Sequence, residues 1–147
     1  MTGLLVASAI LLTCGGSVGP EDLCNRLSEI RSIPMKGPGS DEVYRGLLEM
    51  GDAAVPCLID RITDTTPMTD PRMTPSYSGF AVGDLAFFIL NRITGVDGYE
   101  MLPDDVRAQY KEKGFYAYFD YVATPSHRLD LQRRWRTWWS KHQSSTN

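Results

Sequence analysis

Histidine, cysteine and long apolar runs are scarce in this sequence. Its 147 residues include two histidines and three cysteines, which leaves little material for a metal centre or a nucleophile. No apolar stretch reaches the roughly 20 residues that a membrane-spanning helix needs. The net charge is −3, so bulk charge does not favour nucleic acid as a partner. Apolar residues still make up 42% of the chain, which is enough for one globular domain with a hydrophobic core.

Apolar spacing is helical along most of the chain, and no segment alternates with the period of a β-strand. This spacing predicts an all-α domain over residues 20–142, with 1–19 as a signal and short tether and 143–147 as a disordered tail. Ser40 is the expected N-cap of the second helix. The pattern predicts helices at residues 20–32, 40–50, 53–63, 80–94, 104–112, 115–122 and from 126 onward.

The first segment has the length of the apolar core of a secretory signal. Residues 3–13 read GLLVASAILLT, contain no charge and are followed by Cys14. The segment LLTC resembles a bacterial lipobox, and this resemblance implies that Cys14 becomes the lipid-carrying mature N-terminus. Gly15 and Gly16 after the cysteine fit sorting to the outer membrane. An ordinary cleaved signal and a buried or interfacial N-terminal helix are the alternatives.

Lipidation of Cys14 would leave an even pair of thiols, Cys24 and Cys57. In an oxidising compartment such a pair suggests a disulfide. It would close a loop of about 34 residues and stabilise the fold by roughly 3–4 kcal/mol. Helical phase places Cys57 almost opposite the apolar stripe of its own helix, so two reduced core cysteines fit the sequence equally well.

Two of the predicted helices share a short pattern. Residues 50–58 read MGDAAVPCL and residues 82–90 read VGDLAFFIL, which suggests a helical repeat. The matching pairs are Gly51 and Gly83, Asp52 and Asp84, Ala54 and Ala86, and Leu58 and Leu90. GDAAVPCLIDRI resembles the second helix of a short bacterial HEAT-like repeat. The resemblance implies a compact right-handed stack of HEAT-like helix pairs, capped by aromatic-rich C-terminal helices, and a protein-binding role.

The connection between these two helices, residues 64–79, is unusually long. It carries prolines at 67, 71 and 75. Connections between packed helices usually have about two to eight residues, and regular prolines lower the entropy lost on binding. We therefore take Met68, Arg72, Met73 and Tyr77 as candidate contacts with a partner. The alternative is a linker that lies on the surface and binds nothing.

Basic residues are concentrated near the C-terminus, where the last 22 residues contain five basic residues and one acid. Arg133, Arg134 and Arg136 form a candidate secondary basic patch. Tyr116 and Tyr121 fall off the apolar face of their helix, and we take them as candidate aromatic members of this basic patch. The alternative is the solvated face of a C-terminal helix.

The sequence contains no recognisable catalytic motif. His127 and His142 lack an acidic partner at metal-ligand spacing, and Asp104 and Asp105 suit a helix start. We predict a non-catalytic protein-binding module of the bacterial envelope, lipid-anchored to the outer membrane and facing the periplasm. An immunity or inhibitor protein against a periplasm-acting toxin is one concrete form. The predicted partner is another protein, and membrane contact is through the lipid anchor alone.

No cofactor, metal, nucleic acid or small-molecule substrate is expected from the sequence. Two other functions remain open at this level. One is an enzyme or an enzyme accessory subunit, which needs acidic groups that converge in a cleft. The other is a cytoplasmic HEAT-like scaffold, which follows if the first segment is not a signal.

Overall fold

The protein is described by a computed structural model over residues 16–72 and 77–146. Within these ranges the secondary structure is helical, and the extended backbone forms two isolated bridges but no β-strand. The predicted all-α class is therefore confirmed. The α-helices are α1 (Pro20–Cys24), α2 (Glu42–Met50), α3 (Val55–Arg61), α4 (Val82–Thr94), α5 (Asp104–Lys113), α6 (Tyr116–Val122) and α7 (Pro125–Thr146). Short 3-10 turns lie at Leu27–Glu29, Gly51–Ala54 and Gly98–Met101.

The first predicted helix is divided in two, because the chain tightens into a 3-10 turn after α1. Ile30 N–H donates to the Leu27 carbonyl at 3.1 Å, three residues back, where an α-helix would bond four residues back. Leu23, Leu27 and Ile30 are nevertheless all buried. The apolar spacing identified the buried residues correctly, although the helix over 20–32 is not continuous.

Helix α2 starts at Glu42, and its N-cap lies one residue later than we expected. Asp41, and not Ser40, is its N-cap, and the Asp41 carboxylate accepts from Tyr44 N–H at 3.1 Å. The other carboxylate oxygen accepts from Arg31 N–H at 3.2 Å. Asp41 is favoured over Ser40 as the N-cap because its carboxylate accepts from two backbone N–H groups at once. The helix ends at Gly51, which has a φ of 53°.

Helix α4 lies at the centre of the molecule and packs against α3. Every residue from Val82 to Phe87 is buried, including the charged Asp84. The backbone of Gly83 passes so close to α3 that a Cβ atom there would collide with the Ile62 carbonyl. This approach lets Gly83 N–H donate to the Asp64 carbonyl at 2.8 Å.

Helix α7 closes the core and also supplies donors to the end of α3. Trp135 and Leu131 on α7 have no exposed surface. Gln132 Nε2 donates to the carbonyls of Ile59 and Asp60 at 3.0 and 3.2 Å. Arg128 Nη1 donates to the Ile62 carbonyl at 3.3 Å. Carbonyls at the end of α3 therefore accept hydrogen bonds from α7, in addition to the local bonds from Ile62 N–H to the Ile59 carbonyl and from Asp64 N–H to the Arg61 carbonyl.

Helix α7 continues to Thr146, into the segment 143–147 where we expected a tail. The helix contains no glycine or proline after its first residue, Pro125, so nothing in the sequence breaks it. Ser144 Oγ also donates to the Ser140 carbonyl at 2.9 Å within the last turns.

Candidate partner-binding surface

Cys24 and Cys57 form a disulfide between α1 and α3, with their Cα atoms 6.2 Å apart. Both residues are buried, with exposures of 1% and 2%. Helix α3 packs against α1 on one side and α4 on another, so Cys57 can lie off the main apolar stripe and still be in the core. The proposed lipidation site Cys14 lies outside the described residues.

The proline-rich connection is held against the helices by backbone hydrogen bonds. Val82 N–H donates to the Thr66 carbonyl, and Met68 N–H donates to the Phe80 carbonyl, both at 3.0 Å. Farther along, Ile33 N–H donates to the Pro71 carbonyl at 3.0 Å. The described part of the connection is therefore a fixed surface rather than a free linker.

Asp70 holds the middle of this connection in place. Its side chain is fully buried and accepts from the backbone N–H, Nε and Nη2 of Arg72 at 3.0, 2.9 and 2.6 Å. Tyr77 N–H also donates to it, at 2.9 Å. Burial alone would raise the pKa of Asp70, but the hydrogen bonds from Arg72 and Tyr77 lower this pKa below its ordinary value of 3.8.

Arg72 lies within a group of four phenylalanine rings. Its guanidinium carbon is 4.4 Å from the ring centre of Phe88, and cation–π contact helps to place it there. The centres of Phe80, Phe119 and Phe115 lie at 5.1, 5.3 and 5.5 Å. Arg72 thus bonds to Asp70 and packs on the core, a role that the sequence analysis missed. The nearby acid at position 70 was the available signal.

A groove of about 710 Å³ lies beside this part of the connection. Met68 and Tyr77, two of the predicted contact residues, line it together with Tyr116 of α6. Tyr77 stacks on Phe119 at 3.9 Å and meets the Tyr116 ring edge-on at 6.5 Å. Tyr116 is 46% exposed. The remaining candidate, Met73, lies outside the described residues.

The three arginines of the predicted basic patch do not converge on one point. Arg133 and Arg134 both bind Asp130, at 3.2 and 2.7 Å. The hydrogen bond from Arg134 is the main reason that the pKa of Asp130 is lowered. Arg136 instead binds Asp60 of α3 at 2.7 Å. Much of the positive charge of this patch is therefore neutralised locally.

A buried cluster of charged and polar groups surrounds Asp84. Its carboxylate accepts from Arg128 Nη2 at 2.9 Å, from Tyr118 Oη at 2.8 Å and from Ala81 N–H at 2.8 Å. Burial, followed by the nearby Asp84 charge, raises the pKa of Tyr118 well above its ordinary value. Every strong acceptor site of Asp84 is thus directed at the protein itself, which indicates a structural role.

Both histidines stack on aromatic side chains, and these contacts account for their positions without a catalytic role. His127 stacks on Tyr121 at 4.4 Å, and its Nδ1 lies 2.9 Å from the Tyr121 carbonyl oxygen. His142 stacks on Trp138 at 4.9 Å. Across residues 16–72 and 77–146, no group of three or more His, Cys, Asp or Glu side chains is placed to hold a metal ion.

The sequence matches no protein-family model, and neither a curated protein nor a solved structure is significantly similar to it. Within the described part of the chain, no helix has both the length and the apolar character to cross a membrane.

Proposed function

We propose that this protein is a non-catalytic protein-binding module exported to the bacterial envelope. In this proposal Cys14 carries a lipid that anchors the protein to the outer membrane, and the helical domain faces the periplasm. Its concrete role is that of an immunity or inhibitor protein, which binds a toxin that acts in the periplasm. The groove beside Tyr77 and Tyr116 is the surface that contacts the partner.

The observation that carries this proposal is the disulfide between Cys24 and Cys57. Disulfides form and persist in oxidising compartments such as the periplasm, and they are rare in the bacterial cytoplasm. The bond lies inside the core of the domain and joins two of its helices. Such a bond fits a chain that folds after export, in agreement with the apolar segment at residues 3–13.

The surroundings of the buried acids support a binding role over a catalytic one. Asp70 and Asp84 are the buried carboxylates among the described residues, and both are fully engaged by internal donors. A catalytic acid or base needs a lone pair or a proton that can reach a substrate. Asp70 lines the groove, but its carboxylate is occupied by Arg72 and Tyr77. The groove also offers two tyrosines and a methionine, residue types that are enriched in protein interfaces.

We also propose that α2, α3 and α4 derive from a HEAT-like arrangement. Leu58 and Leu90, which match in the two sequence segments, are both fully buried, as are Ala54 and Ala86. The acidic positions differ, because Asp52 is exposed in a 3-10 turn whereas Asp84 lies in the core. In this interpretation the acidic residue of the second repeat unit, Asp84, has become buried and binds Arg128.

Site-specific photo-crosslinking tests where the partner binds. A photoreactive phenylalanine analogue replaces Tyr116 in one variant and Tyr110 in a matched control. Both tyrosines are exposed, at 46% and 41%, but Tyr110 lies on α5 and does not line the groove. In irradiated whole cells, we expect a specific crosslinked adduct with the partner protein from position 116 and none from position 110.

Exchange of residues 68–77 for a Gly/Ser segment of equal length provides the second arm. We expect the helical circular-dichroism signal to remain and the adduct from position 116 to disappear. An undiminished adduct would contradict the groove as the contact surface. Variants of Arg133, Arg134 and Arg136 would then test the basic patch.

A further inference from the structure

A second cavity, of about 350 Å³, lies between α2, α4 and the segment that follows the first 3-10 turn. Its walls include Ile33, Tyr44, Phe88 and Ile89, so they are mainly apolar. The volume is at the lower end of the range of small-molecule sites. None of its lining residues lines the groove beside Tyr116, so the two sites are separate.

The cavity contains positive charge without negative charge. Arg72 and Arg92 line it, and no carboxylate does. Asp70 neutralises Arg72, as described above. Arg92 has no carboxylate partner among the described residues, and its hydrogen bonds go to neutral groups. An apolar cavity with one uncompensated guanidinium is complementary to an apolar ligand that carries a single negative charge.

The guanidinium of Arg92 is also held in a defined position. Its Nε donates to Tyr44 Oη at 3.2 Å, and its Nη2 donates to the Pro34 carbonyl at 3.1 Å. Both partners lie far away in sequence, so the side chain does not serve to cap the end of its own helix. Within residues 16–72 and 77–146, no hydrogen-bond acceptor is assigned to its Nη1, which can therefore donate to a ligand oxygen. A donor that is fixed before binding loses little entropy when the ligand arrives.

Met35 at the edge of this cavity is 82% exposed. A single exposed apolar side chain is common on protein surfaces, but Met35 stands beside an apolar cavity and can contact a ligand that occupies it. Methionine suits this position because its flexible thioether adapts to different apolar shapes.

We propose that this cavity binds a small apolar monocarboxylic acid. The carboxylate accepts a hydrogen bond from Arg92 and the apolar chain lies between Phe88, Ile89 and Ile33, with Met35 covering its outer side. Binding is non-covalent, and the acid is a ligand rather than a substrate. This site is independent of the protein partner proposed above, because it uses a different surface.

Octanoate is the probe, and 1-octanol is its neutral counterpart of equal chain length. Isothermal titration calorimetry gives the affinity, and methyl NMR of labelled isoleucine and methionine gives the location. We expect saturable binding of one octanoate, with shifts at Ile33, Met35 and Ile89 and at least tenfold weaker binding of octanol. Equal binding of the two probes, or shifts elsewhere in the protein, would overturn the proposal.

Two variants at Met35 separate charge from size without disturbing the core. Met35→Glu introduces a carboxylate next to Arg92, whereas Met35→Gln has nearly the same size and no charge. We expect Met35→Glu to weaken octanoate binding at least tenfold and Met35→Gln to weaken it about threefold or less. Similar effects of both substitutions would contradict a carboxylate site.

Arg92→Gln tests the proposed ligand contact directly, and Lys111→Gln removes a positive charge from α5, outside the cavity. We expect at least a tenfold loss of octanoate affinity in the first variant and none in the second, with circular dichroism to verify that both fold. A peptide that ends in leucine and binds tenfold more tightly than octanoate would overturn the small-acid ligand in favour of a polypeptide C-terminus.

Discussion

Asp84 places a carboxylate in the core, where an uncompensated charge would be very costly. The guanidinium of Arg128 and the hydroxyl of Tyr118 compensate it from two other helices. This one side chain therefore connects α4, α6 and α7. The stability of this buried cluster requires that all the hydrogen bonds to Asp84 are formed, and the ion pair with Arg128 alone would not be enough.

Asp84→Ala is expected to lower the free energy of unfolding by about 3–5 kcal/mol, because it leaves the buried Arg128 charge without a partner. Urea denaturation measures this loss. Asp52→Ala is the matched control, since Asp52 occupies the corresponding position of the sequence repeat and is exposed. It should change the stability by no more than about 0.5 kcal/mol. Equal effects of the two variants would contradict the structural role of Asp84.

Leu58 and Leu90 test the core at two further single positions. Both are fully buried, so replacement by alanine removes packed methyl groups and leaves a cavity. Each substitution should cost about 2–5 kcal/mol in unfolding free energy and lower the melting temperature visibly. Leu129→Ala, at a position that is 55% exposed, serves as the control with a small effect. Parent-like melting of both core variants would refute their burial.

At the scale of elements, the disulfide attaches the five-residue α1 to α3. Helix α1 is too short to be stable alone, so its position depends on this bond and on its apolar contacts. Replacement of both Cys24 and Cys57 by alanine should destabilise the domain by about 3–4 kcal/mol, because the unfolded chain loses its cross-link. Denaturation with and without reductant provides the measurement.

The control for this prediction is Cys14→Ser, which should leave the effect of reductant unchanged. A parent protein whose unfolding midpoint does not move on reduction would contradict a stabilising disulfide.

The proline-rich connection should lose its attachment at low pH. The pKa of Asp70 is below its ordinary value in the folded protein, so the ionised form stabilises the fold at pH values above 3.8. This stabilisation disappears as the pH falls below 3.8 and through the folded-state pKa. Asp70→Asn should therefore be less stable than the parent by about 1–3 kcal/mol at neutral pH, and the difference should narrow in acid.

Denaturation of parent and Asp70→Asn at a series of pH values measures this difference. Asp120→Asn is the control, because Asp120 forms an exposed pair with Lys113 and should contribute about 0–1 kcal/mol. A gap between parent and Asp70→Asn that stays constant with pH would refute the mechanism.

Local sequence signals predicted the helices but not the contacts between distant segments. The spacing of apolar residues and the glycine at 95 located α4 and its end, where Gly95 adopts a φ of 69°. Arg72 was predicted to contact a partner, and no role was predicted for Asp70, two residues before it. Their burial depends on phenylalanines from α4 and α6, and no local pattern encodes that encounter. The groove beside Tyr116 was inaccessible to sequence reasoning for the same reason.

At the scale of the whole molecule, the proposed location at the outer membrane depends on lipidation of Cys14. Cells grown with an alkyne-labelled palmitate analogue should label the parent protein and leave Cys14→Ser unlabelled. Cys24→Ser is the control that retains the label, since the proposed lipid is attached at residue 14 alone. A soluble product that still begins with Met1 would contradict export and lipidation.

The donors that α7 supplies to the end of α3 have a consequence for the order in which the chain folds. Gln132 and Arg128 reach carbonyls of Ile59 and Ile62, which are synthesised much earlier. A nascent chain that has not yet reached α7 lacks the donors that Gln132 and Arg128 supply to these carbonyls and to the Asp84 carboxylate. Contacts between such distant segments slow folding. The growing polypeptide should therefore complete its fold only after α7 has been synthesised, a delay that would suit the export we have proposed.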